Sequence, residues 1–103
     1  MDITAVSTVD SLRSAVVNAG DYFNRSTGER VERECRQRLE EGCSELVVNF
    51  SHTEIVNSIG VSILLGVIDV AERSGAKVVL AGLNEDTAEL FEMLGVTRHA
   101  SVR

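Results

Sequence analysis

The chain contains no proline and no tryptophan, its aromatic residues amount to 4%, and it has two cysteines. No Pro/Ser-rich or low-complexity tract interrupts it, so nothing in the composition divides it into separate units. A length of 103 residues buries one core and little more, and residues 1–103 read as a single domain. The cysteines, Cys35 and Cys43, have seven residues between them, a spacing that matches no zinc or redox motif. They read as small hydrophobes kept reduced.

Positive charge is also sparse. The ten Lys and Arg residues are scattered against sixteen acids, giving a net charge of −6. That balance excludes a phosphate-tracking surface, and nucleic acid is not an expected partner. The opening residues Met1-Asp2-Ile3-Thr4 show neither a basic n-region nor an apolar h-region, so no secretory signal is read and a cytoplasmic location is expected. The longest apolar stretch, Ile55 to Ala71, is broken by Asn57, Ser58, Ser62 and Asp69, which argues against membrane insertion.

What is present is an alternation of short β-type runs and helical patterns. Leu12 to Asn18 reads as a strand, with a weaker candidate at Ile3 to Ser7 before it, together suggesting an N-terminal hairpin. Ser26-Thr27-Gly28-Glu29 has the form of a capping box and predicts a first helix starting near Thr27. Val31, Cys35 and Leu39 supply its apolar stripe, and Gly42 its end. Glu45 to Phe50 is an apolar run suited to a central strand covered on both faces. After the polar loop Ser51-His52-Thr53-Glu54, a long second helix is predicted over Ser58 to Arg73, ending at Ser74-Gly75. Lys77 to Gly82 gives another buried strand, and Asn84-Glu85-Asp86-Thr87 opens a third helix closed by Gly95. The alternation implies right-handed β-α-β crossovers and an α/β fold.

At 100° per residue, Ser58, Ser62, Leu65, Gly66, Asp69, Glu72 and Arg73 share one sector of the second helix, opposite Gly60, Ile63, Leu64, Val67, Val70 and Ala71. Leu65 and Gly66 interrupt the polar stripe two turns beyond Ser58 and offer an apolar spot to a partner. Ser58 falls in the first helical turn, where free N–H groups and the positive dipole end favour an added phosphate.

The segment Val47-Val48-Asn49-Phe50-Ser51-His52-Thr53-Glu54-Ile55-Val56-Asn57-Ser58-Ile59-Gly60, running on into Val61-Ser62-Ile63-Leu64-Leu65, resembles the signature of the STAS domain of anti-sigma factor antagonists. That signature is an apolar strand, Asp-Leu-Ser, a short loop, then Asp-Ser-Ser/Thr-Gly opening an apolar helix. Gly20-Asp21, Leu39-Glu40-Glu41-Gly42 and Leu94-Gly95-Val96 are similar to further family landmarks, extending the resemblance from about Val16 to Arg98. It implies a single-domain STAS-like mixed sheet of about four strands with helices packed on it. It also implies a non-catalytic module that regulates transcription by partner switching: an anti-sigma factor with a histidine-kinase-like ATPase fold phosphorylates the serine at the position of Ser58, and only the unphosphorylated antagonist holds that factor. On this reading Asn57, Ser58, Ile59, Gly60, Ser62, Leu65, Gly66 and Asp69 form the partner surface, and no cofactor or metal is expected.

Two departures stand inside the motif. The family's Asp is Asn57 and its second Ser or Thr is Ile59. Asn57 still serves as an N-cap, but the local negative charge is gone. The loop at Tyr22-Phe23-Asn24-Arg25 is one residue longer than usual and lacks the Asp expected after the turn. Asn57 and the shortened C-terminal end favour an alternative: an unphosphorylated STAS scaffold, stressosome-like, or a subunit of a lipid or anion transport system. The chain ends at Arg103, where many relatives continue into a final helix, which leaves surface for another subunit and makes a homodimer an expectation.

Enzymatic readings are weaker. His52, Ser58 and Asp69 suggest a Ser/His/Asp arrangement, yet no Gly-x-Ser-x-Gly elbow surrounds the serine. His52 and His99 are isolated and make no metal site. The Glu and Arg residues from Glu29 to Glu41 alternate as on a solvated helix with i,i+4 ion pairs. Gly60 and Gly66 lack the spacing and lysine of a phosphate loop.

Overall fold

The computed structural model describes residues 13–103. In chain order the elements are β1 (Ser14–Asn18), β2 (Tyr22–Phe23), α1 (Arg25–Glu40), β3 (Glu45–Asn49), β4 (Ile55–Val56), α2 (Ser58–Arg73), β5 (Lys77–Ala81), α3 (Glu85–Met93), a 3-10 turn (Val96–Arg98) and β6 (Ser101–Val102). The main sheet runs β1-β3-β5-β6, and every pairing in it is parallel. The expected strand Ile3 to Ser7, its hairpin and Leu12 lie outside the described residues.

The strand order explains the layering. Each of α1, α2 and α3 connects one strand to its parallel neighbour, always stepping the same way across the sheet. Right-handed crossovers then place all three helices on one face. Burial agrees with this: Val17, Leu46, Val48, Val78 and Leu80 join Val31, Cys35, Leu64, Val67, Ala71 and Phe91 in one cluster. Val47 and Val79, which point the other way, are buried but stand outside that cluster. The three phenylalanines stack edge to face through the centre, Phe23–Phe50 at 5.3 Å and Phe50–Phe91 at 5.4 Å.

Helix α1 begins two residues earlier than predicted. The capping box is built on Asn24, whose Oδ1 accepts from the Thr27 N–H at 3.1 Å while Thr27 Oγ1 accepts from the Asn24 N–H at 2.8 Å. The Thr27 hydroxyl also donates to the Tyr22 carbonyl at 2.7 Å, so the cap is welded to β2. Ser26 and Glu29, which fit the same pattern by type, are exposed inside the helix. At the other end, Gly42 takes φ +94°, and the Cys43 N–H donates to the Arg38 carbonyl while the Gly42 N–H donates to that of Leu39. Helix α2 closes in the same way at Gly75, with φ +80°. This six-to-one and five-to-two bond pair is the glycine-dependent Schellman ending.

Loop residues predicted as plain connections form a second, two-stranded parallel ribbon, Tyr22↔Ile55 and Phe23↔Val56. Asn57 N–H donates to the Phe23 carbonyl at 2.8 Å, and Glu54 N–H to that of Asp21 at 2.8 Å. Thr53, buried, donates its hydroxyl to the Gly20 carbonyl. These bonds fix the chain that leads into α2.

Candidate functional site

Helix α2 opens on Ser58, and Asn57 caps it with an extended backbone (φ −100°, ψ 145°). Its Oδ1 accepts from the Ile59 N–H at 2.7 Å, as the capping argument required. The intrahelical ladder starts with Val61 N–H on the Asn57 carbonyl at 3.2 Å. The Ser58 N–H precedes that ladder and has no intramolecular acceptor among the described residues. No acidic residue occupies the first turn of α2, whereas α3 carries Glu85 and Asp86 there. The positive end of the α2 dipole is therefore uncompensated, and the Ser58 side chain is exposed beside it. A phosphate on this hydroxyl meets donors and positive potential instead of a hydrophobic wall.

Of the residues assigned to the partner surface, Ser58, Ile59, Ser62, Leu65, Gly66 and Asp69 are exposed, and Asn57 is half-buried at the cap. Gly60 departs from the set. It is buried, and a Cβ added to it would lie 2.8 Å from the Phe23 carbonyl oxygen. It faces α1, where Gly28 approaches within 3.4 Å of its Cα by the same measure. Gly60 is a packing residue that lets the start of α2 settle on β2, not a contact for a partner. Gly66 is the opposite case, since an added Cβ would meet nothing within 4 Å.

The sequence reading did not pick out two exposed apolar residues, Tyr22 and Ile55, that stand next to the residues it chose. Tyr22 (42% exposed) and Ile55 (55%) stand side by side in the small ribbon, directly before the cap, and Ile59 (41%) follows it. With Leu65 they are the exposed apolar residues on the elements flanking Ser58. The available signal was Ile55 itself, an apolar residue between polar Glu54 and the cap; a two-residue strand carries no periodicity by which to orient it.

The structure also disposes of the nucleophile arrangement. Asp69 is paired with Arg73 at 3.0 Å and lies eleven residues, about 16 Å along the helix axis, from Ser58. His52 is exposed in its turn and makes no bond to the serine. Cys35 is driven to a pKa of about 12, first by burial and then by Glu34 and Cys43, which holds it as an inert thiol. Among the described residues no group of three or more His, Cys, Asp or Glu could hold a metal ion. Among the described residues no helix is long and apolar enough to cross a membrane.

Comparison with solved structures places this geometry among known folds. The unphosphorylated anti-sigma factor antagonist SpoIIAA superposes with a TM-score of 0.71 at 13% identity, covering 88% of this chain and 79% of that one. The phosphorylated form of SpoIIAA from Bacillus gives 0.69 at 15% identity, covering 88% and 83%. The STAS domain of a SulP transporter from Vibrio cholerae gives 0.70 at 20% identity, covering 84% and 66%. At these identities the likeness establishes the fold alone. A search of curated proteins finds no sequence match. The family model for the STAS domain matches residues 13–102, nearly the whole described chain. The one-sided parallel sheet, the capped helix opening on Ser58 and that match together make this chain a member of the STAS domain family.

Proposed function

We propose that the chain is an anti-sigma factor antagonist: a non-catalytic cytoplasmic module that binds an anti-sigma factor with a histidine-kinase-like ATPase fold and is released when that factor phosphorylates Ser58. The observation that carries this reading is the exposed Ser58 hydroxyl at a helix N-terminus with no acid in its first turn, with Tyr22, Ile55, Ile59 and Leu65 exposed on the elements that flank it. Those apolar residues give a partner buried area, and a phosphate adds roughly −1.5 to −2 charges at the serine. Partner groups that tolerate a neutral hydroxyl then face desolvation and, where acidic, repulsion. Regulation of transcription follows from the partner's release, not from any contact of this chain with DNA.

The test is reconstitution with the cognate anti-sigma factor and ATP. Intact mass should show one added phosphate, Ser58→Ala should abolish it, and Ser58→Asp should weaken the complex at least tenfold. Absence of binding in both forms would refute the reading.

Asn57 and Ile59, in place of the family's acid and second hydroxyl, favour a second reading: a STAS scaffold or transport-system subunit in which Ser58 is never modified. Co-purification with a permease, with unmodified Ser58 in cells, would distinguish it.

A further inference from the structure

The β2–β4 ribbon turns one side to the core and the other to solvent. Phe23 is buried and Val56 packs against the core, so Tyr22 and Ile55, the other register pair, point outward and stand exposed together. Asp21 and Glu54 come immediately before them, and both are exposed. The Glu54 N–H donates to the Asp21 carbonyl at 2.8 Å, which sets the two acids side by side, about 5 Å apart by strand spacing. Like charges in that position repel. The one charged register pair of the main sheet, Glu45↔Lys77, is instead of opposite sign, and the adjacent acids Glu85 and Asp86 sit at the positive end of α3. Among the described residues neither Asp21 nor Glu54 has an ion pair. Arg30, whose guanidinium lies beside Gly20, is held by Glu34 at 2.9 Å and by the Asn18 carbonyl at 2.8 Å.

We propose that the outward side of this ribbon docks a basic protein segment, one that sets a Lys or Arg against Asp21 and Glu54 and an apolar side chain against Tyr22 and Ile55. Charge complementarity selects that occupant. A neutral apolar segment would desolvate two neighbouring carboxylates and give them no counter-charge. A second copy of this chain, with net charge −6 and the same patch on both sides of a two-fold contact, would bring four carboxylates together. The segment belongs to the anti-sigma factor, a statement that rests on the antagonist role proposed above. The acids do not oppose the serine switch. From Glu54 to Ser58 is four residues, roughly 13 Å of extended chain, against a Debye length of about 8 Å at physiological salt. A phosphate on Ser58 and the ribbon acids therefore address different groups of the same partner.

Stopped-flow association of the full chain with the cognate anti-sigma factor, at low and high salt, tests the assignment. The Asp21→Asn/Glu54→Gln variant should associate about tenfold more slowly at low ionic strength with little change in dissociation, and the difference should vanish at about 1 M salt. Asp21→Lys/Glu54→Lys should be slower still. Both side chains are exposed, so these variants keep the fold. Glu54→Gln, which relieves the repulsion, should be at least as stable as wild type in denaturant titration. A complex whose association ignores both charge variants, or a Glu54→Gln chain that is less stable, would overturn the ribbon's role and leave the Ser58 switch standing. A wild-type chain that forms no complex at all would remove the antagonist role and this docking surface with it.

Discussion

Asn57 is the residue on which the start of α2 turns. Its amide oxygen satisfies the Ile59 N–H, so Asn57→Ala should destabilise the domain by about 1 kcal/mol in denaturant titration. Asn57→Asp keeps the acceptor and adds a charge at the positive end of the dipole, which should stabilise by about 0.3–1 kcal/mol, with the gain shrinking in high salt. Two glycines on the same helix should respond in opposite senses. Gly60→Ala drives a methyl against the Phe23 carbonyl and should cost about 1–3 kcal/mol. Gly66→Ala meets open space and should gain about 0.5–1 kcal/mol. Equal effects at the two positions would contradict the packing described for Gly60. Cys35 adds a pH signature. Its thiol titrates near 9.0 when unfolded and near 12 when buried, so the folded state holds its proton more tightly. That stabilisation is complete below pH 9 and is lost as pH rises towards 12. Unfolding midpoints of wild type and Cys35→Ala should therefore converge across that window.

At the scale of elements, α2 contributes the largest apolar face, with Leu64, Val67, Ile68 and Ala71 buried against the strands. Leu64→Ala should cost about 2–5 kcal/mol by the same titration, far more than any surface change on the Ser58 side. The reason lies in the helix's two faces, and these were legible: the 100° projection placed Ser58, Ser62, Leu65, Gly66 and Asp69 together, and all are exposed. Strands β3 and β5 were legible as well, because Leu46-Val47-Val48 and Val78-Val79-Leu80 are apolar at consecutive positions, as central parallel strands require. The start of α1 was not. Asn24/Thr27 and Ser26/Glu29 both satisfy a cap-and-return pattern, and only the tertiary bond from Thr27 to Tyr22 decides between them. The β2–β4 ribbon was invisible for a different reason, since its two pairs are set by long-range bonds and not by local preference.

For the molecule as a whole, strand–helix alternation predicted β-α-β crossovers with helices laid on a sheet, but the strand order and the parallel direction of every pairing in the main sheet could not be read from the chain. That order, β1-β3-β5-β6, puts every helix on one face and leaves α2 with both ends accessible. Ser58 could be proposed from the chain because a hydroxyl at the opening of a helix stands at a recognisable place in the sequence, and the structure exposes it.

The composition and the fold together make Tyr22 a native optical probe. It is the only tyrosine, there is no tryptophan, and its ring stands half out of the surface next to Ile55. Its ultraviolet emission therefore reports from one known corner of the molecule, without any label. An arriving protein that lacks tryptophan and tyrosine, or carries them replaced, should change that emission if it covers the ribbon, and leave it untouched if it lands anywhere else.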